Sequence, residues 1–105
     1  MPTPEPSQRP LGPFSYLVMR TIQKLPPRQC YGLRIEEDIA QRLKQVPDLA
    51  KIYVTLKRLQ ARHLIIGTKA PTPNGTKHKV MLYRVTKAGK QALDEAAPFY
   101  RALHD

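Results

Sequence analysis

The chain has 105 residues, a length that sets one domain as the prior, and it carries 18 Lys and Arg against 8 Asp and Glu for a formal net charge of +10. Its single cysteine, Cys30, excludes an internal disulfide and any multi-cysteine metal cluster. No run of about 18 apolar residues is present, and the polar, proline-rich start does not read as a signal peptide, so a cytoplasmic protein without membrane association is expected.

The charge is unevenly placed. Between Leu49 and Leu93 stand ten basic residues and no acid, while the other eight bases match the eight acids. One contiguous half therefore carries the whole excess, the electrostatic footprint of a polyanion partner. An anionic membrane would favour a basic amphipathic helix with a spare apolar face. Here the apolar stripes are needed for the core.

Residues 1–12 hold Pro2, Pro4, Pro6 and Pro10 and read as an extended or disordered lead. Gly12-Pro13 opens a first helix, with Phe14, Val18, Ile22 and Leu25 at helical spacing and Leu17 beside them, and Pro26-Pro27 closes it. A second helix spans Gly32 to about Leu43, with Ile35, Ile39 and Leu43 in steps of four. Glu36, Glu37 and Asp38 lie in its first turns, where acids suit the helix dipole. Consecutive helical residues point apart, so these three are expected to be solvated rather than to form an acid–base or metal cluster.

After a short turn, residues 48–62 form the element on which the function depends. Asp48 is suited to cap it, and Leu49, Ile52, Leu56 and Leu59 recur at spacings of 3, 4 and 3. Lys51, Thr55, Lys57, Arg58 and Arg62 occupy the other face, flanked by Tyr53 and Val54. Such a helix can bury one face and still lie along a major groove about 12 Å wide. Two helices, a turn and a basic third helix follow helix-turn-helix order.

Past Arg62 the period changes. Leu64-Ile65-Ile66 begin a strand running to about Lys69. Pro71, Pro73 and Asn74-Gly75 supply turn chemistry, and Lys79 to Val85 is a second strand. A basic hairpin with Lys77, His78 and Lys79 beside a basic helix is the arrangement of a wing that reaches phosphate or the minor groove. Thr86 caps a last helix, in which Gly89, Ala92, Ala96, Phe99 and Leu103 fall on a heptad-like seam. Ala92, Ala96, Phe99 and Leu103 are candidates for pairing with a second copy, and Pro98 is expected to kink or break the helix near Ala97. The fold class expected is mainly α with a small β-hairpin (α+β): a winged helix-turn-helix over 13–86, with a C-terminal dimerisation helix over 87–105.

Three stretches resemble the PadR family of winged-helix transcriptional regulators. Ile52-Tyr53-Val54-Thr55-Leu56-Lys57-Arg58-Leu59 followed by Leu64-Ile65 resembles the family's recognition-helix signature. Tyr83 to Gly89 is similar to its second wing strand leading into the last helix, and Tyr31-Gly32-Leu33-Arg34-Ile35 to the start of its second helix. The sequence departs at His63, where the family commonly has glycine, and at Val54, where proline is frequent. The resemblance implies a short-form homodimer that binds an inverted repeat in double-stranded DNA, often with repression relieved by a small-molecule effector.

The DNA-contact candidates are Lys51, Thr55 and Arg58 near base edges, with Tyr53, Lys57, Arg62, Lys77 and Lys79 on phosphates. An enzyme is not expected. Ser7 and Ser15 have no histidine near in sequence, Cys30 has no identifiable base, His63, His78 and His104 lack metal-ligand spacing, and there is no phosphate-binding glycine loop. No cofactor or metal is expected. A basic RNA-binding protein and a winged helix that docks an acidic protein are the alternatives.

Overall fold

The computed structural model describes residues 10–45, 48–71 and 79–101. Helices α1 (Pro13–Lys24), α2 (Gly32–Leu43) and α3 (Leu49–Ala61) are followed by strands β1 (Ile65–Pro71) and β2 (Lys79–Val85) and helix α4 (Lys87–Tyr100). The strands pair antiparallel from Ile65–Val85 at the base to Pro71–Lys79 at the described outer end. Three helices, a two-stranded hairpin and a final helix, in this order, make a winged helix-turn-helix.

Helix α1 is the centre of the core. Tyr16, Leu17, Val18, Met19, Thr21 and Ile22 are all buried, covering more than one stripe of the helix, because α2, α3, α4 and β2 all pack against it. Thr21 tolerates the interior because its hydroxyl donates to the Leu17 carbonyl at 2.8 Å. Around α1 gather Ile35 and Ile39 of α2, Ile52, Leu56 and Leu59 of α3, Leu64, Ile65 and Tyr83 from the hairpin, and Leu93 and Ala96 of α4. Each fully buried aliphatic side chain contributes about 1.5–3 kcal/mol.

Chain ends of the helices follow from local chemistry. Leu25, preceding Pro26, is extended with ψ 146°, and α1 stops there. Helix α2 ends in a Schellman motif: Gln45 N–H reaches the Ala40 carbonyl, Lys44 N–H the Gln41 carbonyl, and Lys44 sits at φ 53°. The same motif closes α3, with Leu64 N–H on Leu59, His63 N–H on Gln60, and His63 at φ 59°. His63 thus adopts the left-handed conformation that glycine takes most readily.

The hairpin is fastened at its base. Tyr83 N–H donates to the Cys30 carbonyl at 2.8 Å and Thr86 N–H to the Leu64 carbonyl at 3.0 Å. The Thr86 hydroxyl donates to the His63 carbonyl at 2.8 Å and accepts from Gly89 N–H at 3.0 Å, capping α4.

Several expectations are corrected. Leu11 belongs to the core at 2% exposure rather than to a lead without one. Its carbonyl accepts from the Tyr100 hydroxyl at 2.9 Å, and the Tyr100 ring meets Tyr16 with centroids 5.2 Å apart. Helix α4 continues through Pro98 instead of breaking near Ala97. The missing N–H falls in the final turn, where little helix follows. Ala96 is buried in its own chain's core, Ala92 is half-buried against it, and Phe99 stands 81% exposed. Leu103 lies outside the described residues.

Candidate nucleic-acid interface

Helix α3 starts where Asp48 accepts the Lys51 N–H at 3.0 Å through its carboxylate. This cap satisfies a free helical donor and places a negative charge at the positive helix end. Ile52, Thr55, Leu56 and Leu59 form its buried side. At 100° per residue, the opposite side is centred on Ala50, Val54, Lys57 and Ala61, with Lys51 and Arg58 along one edge and Leu49 and Tyr53 along the other. All of these are exposed.

Two residues sit differently from the expectation. The apolar spacing puts Leu49 in the buried stripe, but it is 38% exposed. Thr55 was assigned to the groove-facing side but is buried at 7%, its hydroxyl donating to the Lys51 carbonyl at 2.9 Å. With its polar atom satisfied inside its own helix, Thr55 fills space like a small apolar residue and is not placed to contact a base. Arg62 is half-buried, whereas Lys57 and Arg58 are exposed. Ala50 and Val54, which a search for basic residues misses, are central to the exposed side. The helical period alone is enough to find them.

Neighbouring elements hold the helix and its side chains. The Lys51 ammonium lies over the Phe14 ring, 4.2 Å from its centroid, a cation–π contact that draws this residue back toward α1. Tyr53 lays its ring across the start of α2. A Cβ on Gly32 would come within 2.7 Å of Tyr53 Cε1, so the ring takes the place a side chain would fill. Tyr53 and Gly32 also line a hollow with Leu49, Lys79, Val80 and Met81, which lies between the helix and the hairpin. Lys79 is exposed at the first described position of β2, and Lys69 is exposed on β1. Lys77 and His78 lie outside the described residues, as does most of the expected 70–79 wing.

The acidic triplet of α2 is not uniformly solvated. Asp38 pairs with Lys24 at 2.8 Å and Glu37 is exposed, but Glu36 is buried at 6% and its Oε2 has no hydrogen-bond partner among the described residues. The period explains this, since Glu36 is four residues after buried Gly32 and three before buried Ile39, on the inward side of the helix.

Cys30 is buried, with its thiol directed at the Ile22 carbonyl at 3.2 Å. Burial raises its pKa, which suits packing rather than nucleophilic reactivity. The Tyr83 phenol is also pushed up, first by burial and then by Tyr53. Among the described residues, no group of three His, Cys, Asp or Glu side chains is placed to hold a metal ion. No described helix is long and apolar enough to cross a membrane.

No curated protein matches this sequence. Solved structures do match the fold. A PadR family transcription regulator from Clostridium difficile R20291 superposes with a TM-score of 0.70 at 22% identity, over 88% of this chain and 91% of that one. A PadR-like transcription factor from Bacteroides fragilis superposes with a TM-score of 0.67 at 20% identity, over 86% of this chain and 82% of that one. At these identities the likeness establishes the fold. The family is established by sequence, since the model of the PadR-like transcriptional regulator family matches residues 22–95. With the helix order, the hairpin and the match agreeing, the chain belongs to the PadR-like family of transcriptional regulators.

Proposed function

We propose that the protein is a sequence-specific double-stranded DNA-binding repressor that acts as a homodimer on an inverted repeat. The observation that carries this reading is the exposed side of α3. Lys51, Lys57 and Arg58 stand there around Ala50 and Val54, within a stretch of sequence free of acids from Leu49 to Leu93. In a major groove, Arg58 is the residue able to bond guanine O6 and N7 bidentately, a contact worth about 1–3 kcal/mol of discrimination. Val54 and Ala50 offer apolar surface to thymine methyl groups. Lys57, Arg62 and Tyr53 go to phosphates, and Lys77 and Lys79 bring the wing to the backbone or the minor groove.

Pairing is assigned to α4. Phe99 projects from it beside a groove lined by Pro10, Leu11, Ala92, Glu95 and Tyr100, an apolar feature whose burial favours association. A dimer neutralising about eight phosphates gives a log–log salt slope near −7. The twofold places the two α3 helices about 34 Å apart, one DNA turn.

The test is selection from random duplex DNA, read by sequencing, with mass in solution measured by light scattering. A dimer enriching an inverted repeat with half-sites about one turn apart supports the reading. A monomer bound to asymmetric sites overturns the dimer model. Salt-sensitive binding with no enrichment removes the sequence-specific role. A second reading, docking on an acidic protein, is favoured by the half-exposed Tyr53 and Val54. Arg58→Ala separates the two, because it relaxes base preference at an operator position only if α3 reads DNA.

A further inference from the structure

Gly32 opens α2 and is buried there, in ordinary helical backbone that any residue can adopt. Alanine is the better helix former, so propensity does not account for a glycine at this place. The space above its Cα does. A Cβ built there would lie 2.7 Å from Tyr53 Cε1, 2.8 Å from Tyr53 Cζ and 2.9 Å from the phenol oxygen. The three nearest atoms all belong to one side chain, at its hydroxyl end. Tyr53 comes from the neighbouring helix α3 and is 48% exposed. Part of its ring is thus seated on α2 while the rest stays at the surface. Both residues line the hollow that also takes in Lys79, the first described residue of β2.

We propose that Gly32 is a positioning residue for DNA binding: its missing Cβ is the seat that holds the Tyr53 ring, so that the phenol meets a backbone phosphate on the Lys79 side of α3. This role rests on the proposed function, in which Tyr53 and Lys79 go to phosphates. A phenol already held in its bound arrangement loses little side-chain freedom on binding. Its hydrogen bond to a phosphate oxygen is of the stronger, charge-assisted kind. A larger residue at position 32 is accommodated by swinging Tyr53 outward, since no atom stands nearer than that ring. The fold is then spared and the donor misplaced. This separation of affinity from stability distinguishes a seat from a glycine needed only for packing.

The experiment is a double-mutant cycle on the full chain, with Gly32→Ala, Tyr53→Phe and the pair, titrated with a random-sequence duplex and with the duplex enriched in the selection. Tyr53→Phe keeps the ring and deletes the donor, and should weaken both duplexes about tenfold, the scale of a hydrogen bond to a charged group. Gly32→Ala should weaken both by about three- to tenfold. Its log–log salt slope should match the parent's, because a neutral donor releases no counterion. Its melting temperature should stay within about 3 °C of the parent's. In the Tyr53→Phe background the same alanine should change affinity by less than about twofold. Equal losses in both backgrounds, undiminished binding, or loss of the fold would overturn the role, the last because the glycine would then protect the backbone instead of placing Tyr53. A parent that binds no duplex removes the regulator reading and this role together. A parent that binds, with Gly32→Ala binding equally well, removes this role alone.

Discussion

Gly89 is the position where a single methyl group should do the most damage. It occupies the first turn of α4, where the helix passes the end of α3, and an added Cβ would lie 2.0 Å from the Leu64 carbonyl oxygen and 2.9 Å from Val85 Cγ1. Ordinary carbon–oxygen contacts fall at about 3.3–3.6 Å, so α4 must move away by more than about 1 Å. That movement stretches the Thr86 N–H bond to Leu64 and the Thr86 cap on Gly89, which are set at 3.0 Å each. Overpacking costs about 1–3 kcal/mol, and weakening the two hydrogen bonds adds about 1 kcal/mol apiece. Against this, alanine is favoured over glycine in a helix by about 1 kcal/mol. The balance is a loss of about 2–4 kcal/mol, a fall in Tm of roughly 8–20 °C for a domain of this size. Urea and thermal melts of Gly89→Ala measure it. Gly12→Ala, where a Cβ meets nothing within 4 Å, is the matched control and should stay within about 0.5 kcal/mol of the parent. A Gly89→Ala protein that melts at or above the parent would refute the argument.

Other expectations follow from single features. Arg58→Ala should relax base preference at one operator position by about 1–3 kcal/mol, whereas Lys57→Ala should weaken all sequences alike and reduce the salt slope by about 1, both read by titration of duplexes at several salt concentrations. His63→Gly should stabilise the fold by about 0.5–1 kcal/mol in a urea melt, since φ 59° costs a side chain more than it costs glycine. A destabilised variant would mean that the histidine side chain contributes more than its backbone strain. Stability should also decline in alkali. The Cys30 thiol and Tyr83 phenol are both raised in the folded state, so native protein holds these protons more tightly than the unfolded chain. Their contribution is whole at neutral pH and is lost as pH climbs from the ordinary thiol range, about 8.5, through the raised folded values. Urea midpoints from neutral pH to about pH 10.5 should fall, and Cys30→Ala should flatten the lower part of that decline. A flat profile in the parent would contradict it.

What could be read from the chain was whatever rests on local chemistry. Asp48 announced the start of α3, Pro26 the end of α1, and the turn residues between two β-prone runs announced the hairpin; each acts within a few residues of itself. What could not be read depends on how many neighbours an element acquires. Helix α1 was expected to bury one stripe, yet Tyr16, Met19 and Thr21 are also inside, because four elements surround it. Thr55 was assigned by polarity to the groove side, but a hydroxyl can be satisfied by its own helix, and polarity then ceases to indicate solvent. Glu36 fell on the wrong side for the same reason in reverse, since neighbouring acids suggested a solvated patch while the period pointed inward. Leu11 reads as part of the proline-rich lead because what holds it, Tyr100, is 89 residues away. For the candidate interface, the basic residues are visible as composition, whereas the apolar centre at Ala50 and Val54 is visible only through the helical period, which sets it opposite the Ile52, Leu56 and Leu59 stripe.

The Tyr100–Leu11 bond makes a latch of the two ends of the described chain. One hydrogen bond and one tilted ring contact with Tyr16 hold the last turn of α4 against residues just ahead of α1. Such a clasp, at the edge of the core that Leu11 completes, is expected to open at lower free energy than the centre of the α1-built core. The region that carries exposed Phe99 is therefore expected to open before the α1-centred body. A partner seated on that end of α4 would close the latch as it bound. Association and the order of the chain's edge would then be one event, and amide exchange around Leu11 would report, from the opposite end of the sequence, whether α4 is occupied.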